Sequence, residues 1–271
     1  MEPRKRAELV FHDQDRARHE GETQKDRERT RGNRKFYRTV MKSRRYVDGW
    51  VRTNVGGRIF LDYACGDGGN AIFAAKEGAA LAIGLDISAV SVSNARKDAA
   101  TAGLANATYF IQADCEDTGL PDESVDVMLC SGMLHHLDLK RAFAEMRRIL
   151  KPGGVCLGVE ALDYNPLIQL YRRLTPHLRT EWEKEHILSL KDLRLAREFF
   201  EVRNVRFWHL FSIGAALLNR TPLFRPLLAL GNLLDAVVLR IPLIRRLAWQ
   251  FIFELHKPAQ VPANLHLPKS S

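Results

Sequence analysis

Short apolar runs alternate with amphipathic stretches through the middle of this chain. Runs near 58–63, 81–86, 108–113, 125–131 and 155–160 are rich in Ile, Leu, Val and Phe, and have the length of buried strands. Between them, 68–77, 89–103 and 139–150 repeat apolar residues at helical spacing. Such alternation predicts an α/β fold, a doubly wound, Rossmann-like parallel sheet with helices on both faces. Ligands of such sheets bind at the carboxyl ends of the strands. Asp62, Asp86, Asp114, Ser131 and Glu160 fall at those ends.

Further along, a helix is predicted near 189–200, a sixth strand near 201–208 and a seventh over 248–253. Two segments exceed plain connections. Residues 161–190 leave the fifth strand on the ligand side and should roof the substrate. Residues 210–247 are full of Leu, Ile, Ala and Val, and Pro222, Pro226 and Pro242 break them into short helices. Five arginines (Arg220, Arg225, Arg240, Arg245, Arg246) punctuate that insertion, and Asp235 is its only acid. Three readings stand open for it: a packed helical extension or dimer interface, a membrane contact, and an apolar wall for a hydrophobic substrate. The predicted organisation is a basic helical arm or lid over 1–57, a cofactor-binding core over 58–160 and a roof over 161–190. The core then ends over 191–258, with the insertion inside it, and a flexible tail follows over 259–271.

The chemistry concentrates in Arg58–Asn70, RIFLDYACGDGGN, a strand running into a glycine turn and a helix. Glycine permits positive φ and close approach of a ligand to the main chain. Asp86 follows Gly66 at about the distance where an acid grips a ribose in dinucleotide-type folds. A helix cap is the alternative reading of Asp86, which is expected at an exposed strand end. A dehydrogenase would show G-x-G-x-x-G, whereas here position 71 is Ala. Asp62 and Asp67 also bring negative charge to the place where a pyrophosphate would sit, which favours a cation instead. Later marks follow in order: Phe110–Cys115 with Asp114, Leu120–Ser131, Leu134-His135-His136-Leu137, and the turn Leu150–Gly154.

Together these motifs resemble the class I S-adenosylmethionine-dependent methyltransferases, most closely the branch of quinone-biosynthesis enzymes with a type 11 methyltransferase domain. The resemblance covers roughly 58–160, with weaker support to about 258. It implies a seven-stranded sheet whose last strand is antiparallel, with S-adenosyl-L-methionine as the cofactor. It places Asp62, Ala64, Gly66, Gly68, Asp86, Ile87, Asp114, Cys115 and Ser131 around that cofactor, with Asp114 facing the adenine. His136, and after it His135, is the expected base, since one of two adjacent residues should face the site while the other packs. Glu160, Tyr164, Arg172 and His186 are expected on the substrate side. Tyr63 either lies under the methionine portion of the cofactor or packs the first strand.

Charge narrows the partners. Residues 1–45 hold 15 Lys/Arg against 8 Asp/Glu, and 203–257 hold 8 against 2, so the +9 chain carries its basic charge on two flanks of a mildly acidic core. That suits an anionic surface met by appendages rather than a basic groove, and no nucleic acid is expected. The arm has few anchors, Phe11, Phe36, Tyr37 and Tyr46, and reads either as a lid or as disorder. Cys65, Cys115, Cys130 and Cys156 lack metal spacing, so no metal site is expected. The opening residues carry no signal-like apolar stretch, and no apolar run reaches the roughly 18 residues of a spanning helix. The expected setting is cytoplasmic, or peripheral at a membrane. The leading functional reading is methylation of a hydrophobic or lipid-like small molecule. The alternatives are an RNA or protein methyltransferase that uses the basic arm, and a cofactor-binding scaffold without turnover. A homo-oligomer stays open.

Overall fold

The computed structural model describes residues 2–17, 36, 38–175 and 180–259. Met1, residues 18–35 of the expected arm, the anchor Tyr37, residues 176–179 of the roof and the tail from 260 lie outside the described residues. In chain order the elements begin with α1 (Pro3–Ala17), α2 (Met41–Asn54), β1 (Ile59–Tyr63), α3 (Gly69–Lys76), β2 (Leu81–Asp86), α4 (Ala89–Thr101), β3 (Thr108–Gln112) and β4 (Val125–Ser131). There follow α5 (Leu139–Ile149), β5 (Leu150–Ala161), α6 (Pro166–Leu174), α7 (Glu181–Glu185), α8 (Asp192–Ala196), β6 (Glu201–Trp208), α9 (Phe224–Val238) and β7 (Gln250–His256). Among the described residues, three tight 3-10 turns, Leu134–His136, Ser212–Leu218 and Ile244–Leu247, complete the list.

One seven-stranded sheet has the order β3-β2-β1-β4-β5-β7-β6. Strands β1 to β5 run parallel, and β7 is antiparallel to both β5 and β6. The order reverses beside β1, between β2 and β4, and a crevice for ligands opens at such a switch point. Each face carries its own core. On one, Phe143, Met146 and Ile149 of α5 with Leu193 and Ala196 of α8 cover Leu61, Tyr63 and Met128. On the other, Val47 and Val51 of α2, Ile72 of α3 and Val92 and Ala95 of α4 cover Phe60, Val127, Leu129 and Ile252. Central strands buried on both faces explain the continuous apolar runs of the sequence.

Three boundaries differ from the sequence reading, the simplest being β7, which runs over Gln250–His256 and not 248–253. The expected turn Leu150–Gly154 is the start of β5, because Gly153 N–H donates to Lys257 O (2.9 Å) and Lys257 N–H to Gly154 O (3.0 Å), extending the ladder backwards. The helix expected over 189–200 is regular only over Asp192–Ala196, because Arg197 N–H is shared between the carbonyls of Leu193 and Arg194 and tightens the end into a turn.

The insertion between β6 and β7 is anchored on its inner side by polar groups. Asp235 of α9 accepts hydrogen bonds from Phe211 N–H (2.7 Å), Ser212 N–H (3.2 Å) and the Ser212 hydroxyl (2.7 Å). The ring of His209 lies 2.9 Å from Ser212 Oγ and 2.8 Å from Ser43 Oγ of α2, and burial lowers its pKa to about 4. Only Phe224, Gly231 and Asp235 of α9 are buried, so most of its leucines face outward.

Candidate active site

The site starts where β1 ends. Ala64 at φ 61°, Gly66 at 53° and Gly68 at 75° turn the chain sharply into α3. Gly68 has a second constraint: a Cβ there would come within 2.5 Å of the Phe110 ring. The loop is tied to β2 at two points. Cys65 N–H donates to Leu85 O (2.7 Å), and Gly66 N–H donates to Asp86 Oδ2 (2.9 Å). The other Asp86 oxygen accepts from Ser88 N–H (2.9 Å). Asp86 is therefore a buried brace between the glycine turn and the start of α4, not the exposed residue expected. Nor is it the helix cap. Ser88 holds that position, accepting from Ser91 N–H at 3.1 Å. Ile87, the other candidate here, receives Gln112 Nε2 at its carbonyl (3.0 Å).

Asp62 sits at the floor of the turn, 2 % exposed. Asn70 Nδ2 (3.2 Å) and Ala71 N–H (3.3 Å) donate to it. Burial outweighs these long bonds and pushes its pKa up to about 7. A carboxyl so placed is short of positive charge, which fits an ammonium or sulfonium ligand and not a pyrophosphate. A testable consequence follows if a cation binds beside Asp62. Only the ionised carboxylate holds it, so binding expels the proton that the free protein carries on about half its molecules near pH 7. Affinity for S-adenosylhomocysteine should then fall by up to about tenfold per pH unit below 7. Calorimetry in buffers of different ionisation enthalpy reads the released proton. Affinity independent of pH between 5.5 and 8 would remove Asp62 from the cofactor site.

At the end of β3, Asp114 lies under α1. Lys5 Nζ is 2.5 Å from Asp114 Oδ2 and 2.8 Å from Glu116 Oε2, and Arg4 Nη2 is 2.5 Å from Glu116 Oε1. Further along α1, Asp13 accepts from the Ser88 hydroxyl. Helix α1 of the arm thus lies across the ends of β2, β3 and β4. Cys115 is buried, and burial raises its thiol pKa; its carbonyl accepts from the Tyr63 hydroxyl. Tyr63 is fully buried by that bond and takes the packing role. Ser131 is exposed at the end of β4.

The substrate-side candidates divide. Glu160, 1 % exposed, accepts from Met133 N–H and Leu134 N–H, both at 2.7 Å, and lies 2.8 Å from His135 Nδ1. Burial disfavours a charged His135, but Glu160 and then Glu183 outweigh it, and the pKa is raised. His136 is buried, with Nδ1 3.0 Å from Glu8 Oε2 of α1. The tight turn Leu134–His136 brings both rings into one cluster, centroids 4.2 Å apart. Arg172 reaches the cluster's edge, its Nη2 2.8 Å from Glu183 O and 3.4 Å from Glu183 Oε1. Tyr164 and His186 instead hold the roof itself. Tyr164 accepts from Leu190 N–H (3.2 Å), and His186 stacks on Trp182 at 3.6 Å. A cavity of about 550 Å³ lies beside this cluster, between Arg4, Glu8 and Phe11 of α1 and Thr180 and Trp182 of the roof.

Lys5, Glu8, Glu116, Thr180 and Glu183 were not singled out in the sequence. None belongs to a spaced motif, and the pairs formed with α1 join residues more than a hundred positions apart, as in Thr180 with Glu8, while Glu183 is 48 positions from His135.

Residues 61–158 match the family model described as "Methyltransferase domain". A sterol 24-C-methyltransferase of Gibberella zeae is 32% identical over 121 residues, 44% of this chain and 32% of that enzyme. A phthiotriol/phenolphthiotriol dimycocerosates methyltransferase of Mycobacterium tuberculosis is 31% identical over 106 residues, 38% of each protein. The chain thus spans about a third of the length of these relatives. Among solved structures, geranyl diphosphate methyltransferase in complex with S-adenosylmethionine superposes with TM-score 0.59 at 17% identity, over 84% of this chain and 92% of that one. The [4+2]-cyclase SpnF superposes with TM-score 0.55 at 21% identity, over 79% and 81%. The sheet order, the glycine turn braced by Asp86 and the family match converge: residues 61–158 form a methyltransferase domain with the fold of the class I S-adenosylmethionine-dependent enzymes, and S-adenosylmethionine is the cofactor such a domain uses.

Proposed function

We propose that this protein transfers the methyl group of S-adenosylmethionine to a hydrophobic or lipid-like small molecule, and does so at the surface of an anionic membrane. The cofactor supplies a methyl group already activated on a sulfonium. The protein's own part is to bind, orient and exclude water. Asp62, Asp86 and the Ala64–Gly68 turn hold the donor side, with Ile87, Asp114, Cys115 and Ser131 around it. The His135–His136–Glu160 cluster, roofed by Glu183 and Arg172, forms the acceptor side and handles the acceptor's polar group. Helix α1 shuts water out above both.

The exposed apolar face carries the membrane part of this reading. Leu217 is 85 % exposed, Leu243 73 %, Leu167 74 % and Leu174 71 %, and Leu223, Leu230, Leu233 and Val237 are exposed with them. These residues come from the insertion and from α6, which has no buried residue at all. The two segments join where Asn165 Nδ2 donates to Leu247 O (2.6 Å). All five insertion arginines are exposed. An apolar face rimmed by arginines suits acyl chains below and anionic headgroups around. Among the described residues no helix is long and apolar enough to cross a membrane. Relatives such as the sterol 24-C-methyltransferase of Gibberella zeae favour an apolar acceptor. The RNA or protein alternative is less favoured, because Arg4 and Lys5 turn inward onto Glu116 and Asp114.

Co-sedimentation with liposomes tests this. The protein should bind vesicles containing phosphatidylserine at low salt and bind neutral vesicles less. Each arginine near the surface contributes on the order of 1 kcal/mol, which high salt screens. Arg245→Glu with Arg246→Glu should cut that binding and leave S-adenosylhomocysteine binding intact. If the wild type ignores both vesicle types, the membrane part fails. A dimer in ultracentrifugation would then assign the apolar face to a second copy.

A further inference from the structure

Three donor groups from distant parts of the chain meet at the acceptor side. His135 and His136 follow β4, and Glu183 lies on α7. Each offers a ligand atom within 4.8 Å of the other two. Two of them are also held by hydrogen bonds: Glu160 takes His135 Nδ1 at 2.8 Å, and Arg172 braces Glu183 through its carbonyl at 2.8 Å. Glu8 Oε2 lies 3.0 Å from His136 Nδ1. Histidines that ligate metals are oriented by carboxylates as His135 is. Glu160 also accepts from two backbone N–H groups, which fixes the carboxylate that faces His135 Nδ1. His135 Nε2 faces Glu183 Oε1, 4.0 Å away.

We infer that His135, His136 and Glu183 bind a divalent transition-metal ion of the zinc or manganese kind. Two imidazoles and one carboxylate favour such an ion over magnesium or calcium, which take oxygen ligands. Bond lengths near 2.0–2.2 Å would draw the donors together by roughly 1 Å. Glu183 lies on a five-residue helix outside the sheet, where such a movement is small. Three protein ligands leave an open coordination position, and the cavity lined by Glu8, Thr180 and Trp182 lies on the side of Glu8, whose Oε2 is 3.0 Å from His136 Nδ1. The inference rests on reading this cluster as the acceptor side. It gives the two histidines a joint role, holding an ion that receives a polar oxygen of the acceptor. The sequence offered no sign of it, since Glu183 stands at no ligand spacing from the histidine pair.

The test uses the full chain, stripped with a chelator and titrated calorimetrically with Zn²⁺, Mn²⁺ and Mg²⁺. One equivalent of Zn²⁺ or Mn²⁺ should bind with micromolar or tighter affinity, and Mg²⁺ at least tenfold more weakly. Co²⁺ should give visible d–d bands without a thiolate charge-transfer band, which sets the four cysteines aside as ligands. His135→Ala and Glu183→Gln should each weaken binding by about tenfold or more, while His256→Asn, remote from the cluster, should not. S-adenosylhomocysteine titrations on the same samples report folding and the donor side independently. Glu183→Gln keeps the shape of a roof residue, so it stays informative if His135→Ala fails to fold. A wild type that binds S-adenosylhomocysteine but takes up no ion overturns the inference, as does ion binding that survives both substitutions. A wild type that binds no S-adenosylhomocysteine counts instead against the methyltransferase reading.

Discussion

Replacing Glu160 by alanine lowers the free energy of unfolding by about 3–5 kcal/mol, the range for breaking a buried ion pair by removing one partner. The carboxylate is 1 % exposed and has three partners: two backbone N–H groups of the turn after β4 and the ring of His135. Alanine leaves all three without it, and buried donors without acceptors cost about 1–3 kcal/mol each. Some repacking or water entry recovers part of that sum. Glutamine keeps an acceptor oxygen for the N–H groups and should cost roughly 1–3 kcal/mol. Urea unfolding of the three proteins gives the comparison. An alanine variant within 1 kcal/mol of the wild type would show that the turn does not depend on Glu160.

Replacing Asp86 by alanine weakens S-adenosylhomocysteine binding by about 1.5–3 kcal/mol, roughly ten- to 150-fold, the value of hydrogen bonds to a charged group. The carboxylate braces Gly66 N–H and Ser88 N–H at 2.9 Å each, so the loss has two sources. Any bond from a ribose hydroxyl goes, and the glycine turn loses its tie to β2. Asparagine separates them, because its amide oxygen can brace one N–H while its charge is gone. If only the brace matters, asparagine should recover most of the affinity. If the charge holds the ligand, it should recover little. Unchanged affinity in a folded alanine variant would leave Asp86 with a structural role alone.

The core was legible because its strands are buried on both faces and its turns are glycine-marked. Each local pattern, such as Ile59–Tyr63 into Gly66–Gly69, agrees with the parallel sheet built from it. The strand-end acids could be placed for the same reason. What could not be read lies in contacts across the sequence. That Asp86 is buried depends on how Gly66 and Ser88 fold around it. The convergence of both histidines depends on a 3-10 turn that Glu160 pins from another strand. Glu8 and Glu183 reach the cluster on elements whose positions no period or motif encodes. The outward face of α9 was ambiguous in sequence, since an apolar helix reads alike whether buried or exposed.

The central claim is methyl transfer to an apolar small molecule. Its most direct measurement supplies the protein with S-adenosylmethionine carrying a labelled methyl group and a lipid extract presented in anionic vesicles. The account predicts that label passes into a product extracted by organic solvent, in step with S-adenosylhomocysteine formed, and that Asp86→Ala suppresses it. Label recovered in RNA or protein instead, or none transferred by a protein that binds S-adenosylhomocysteine, would contradict it.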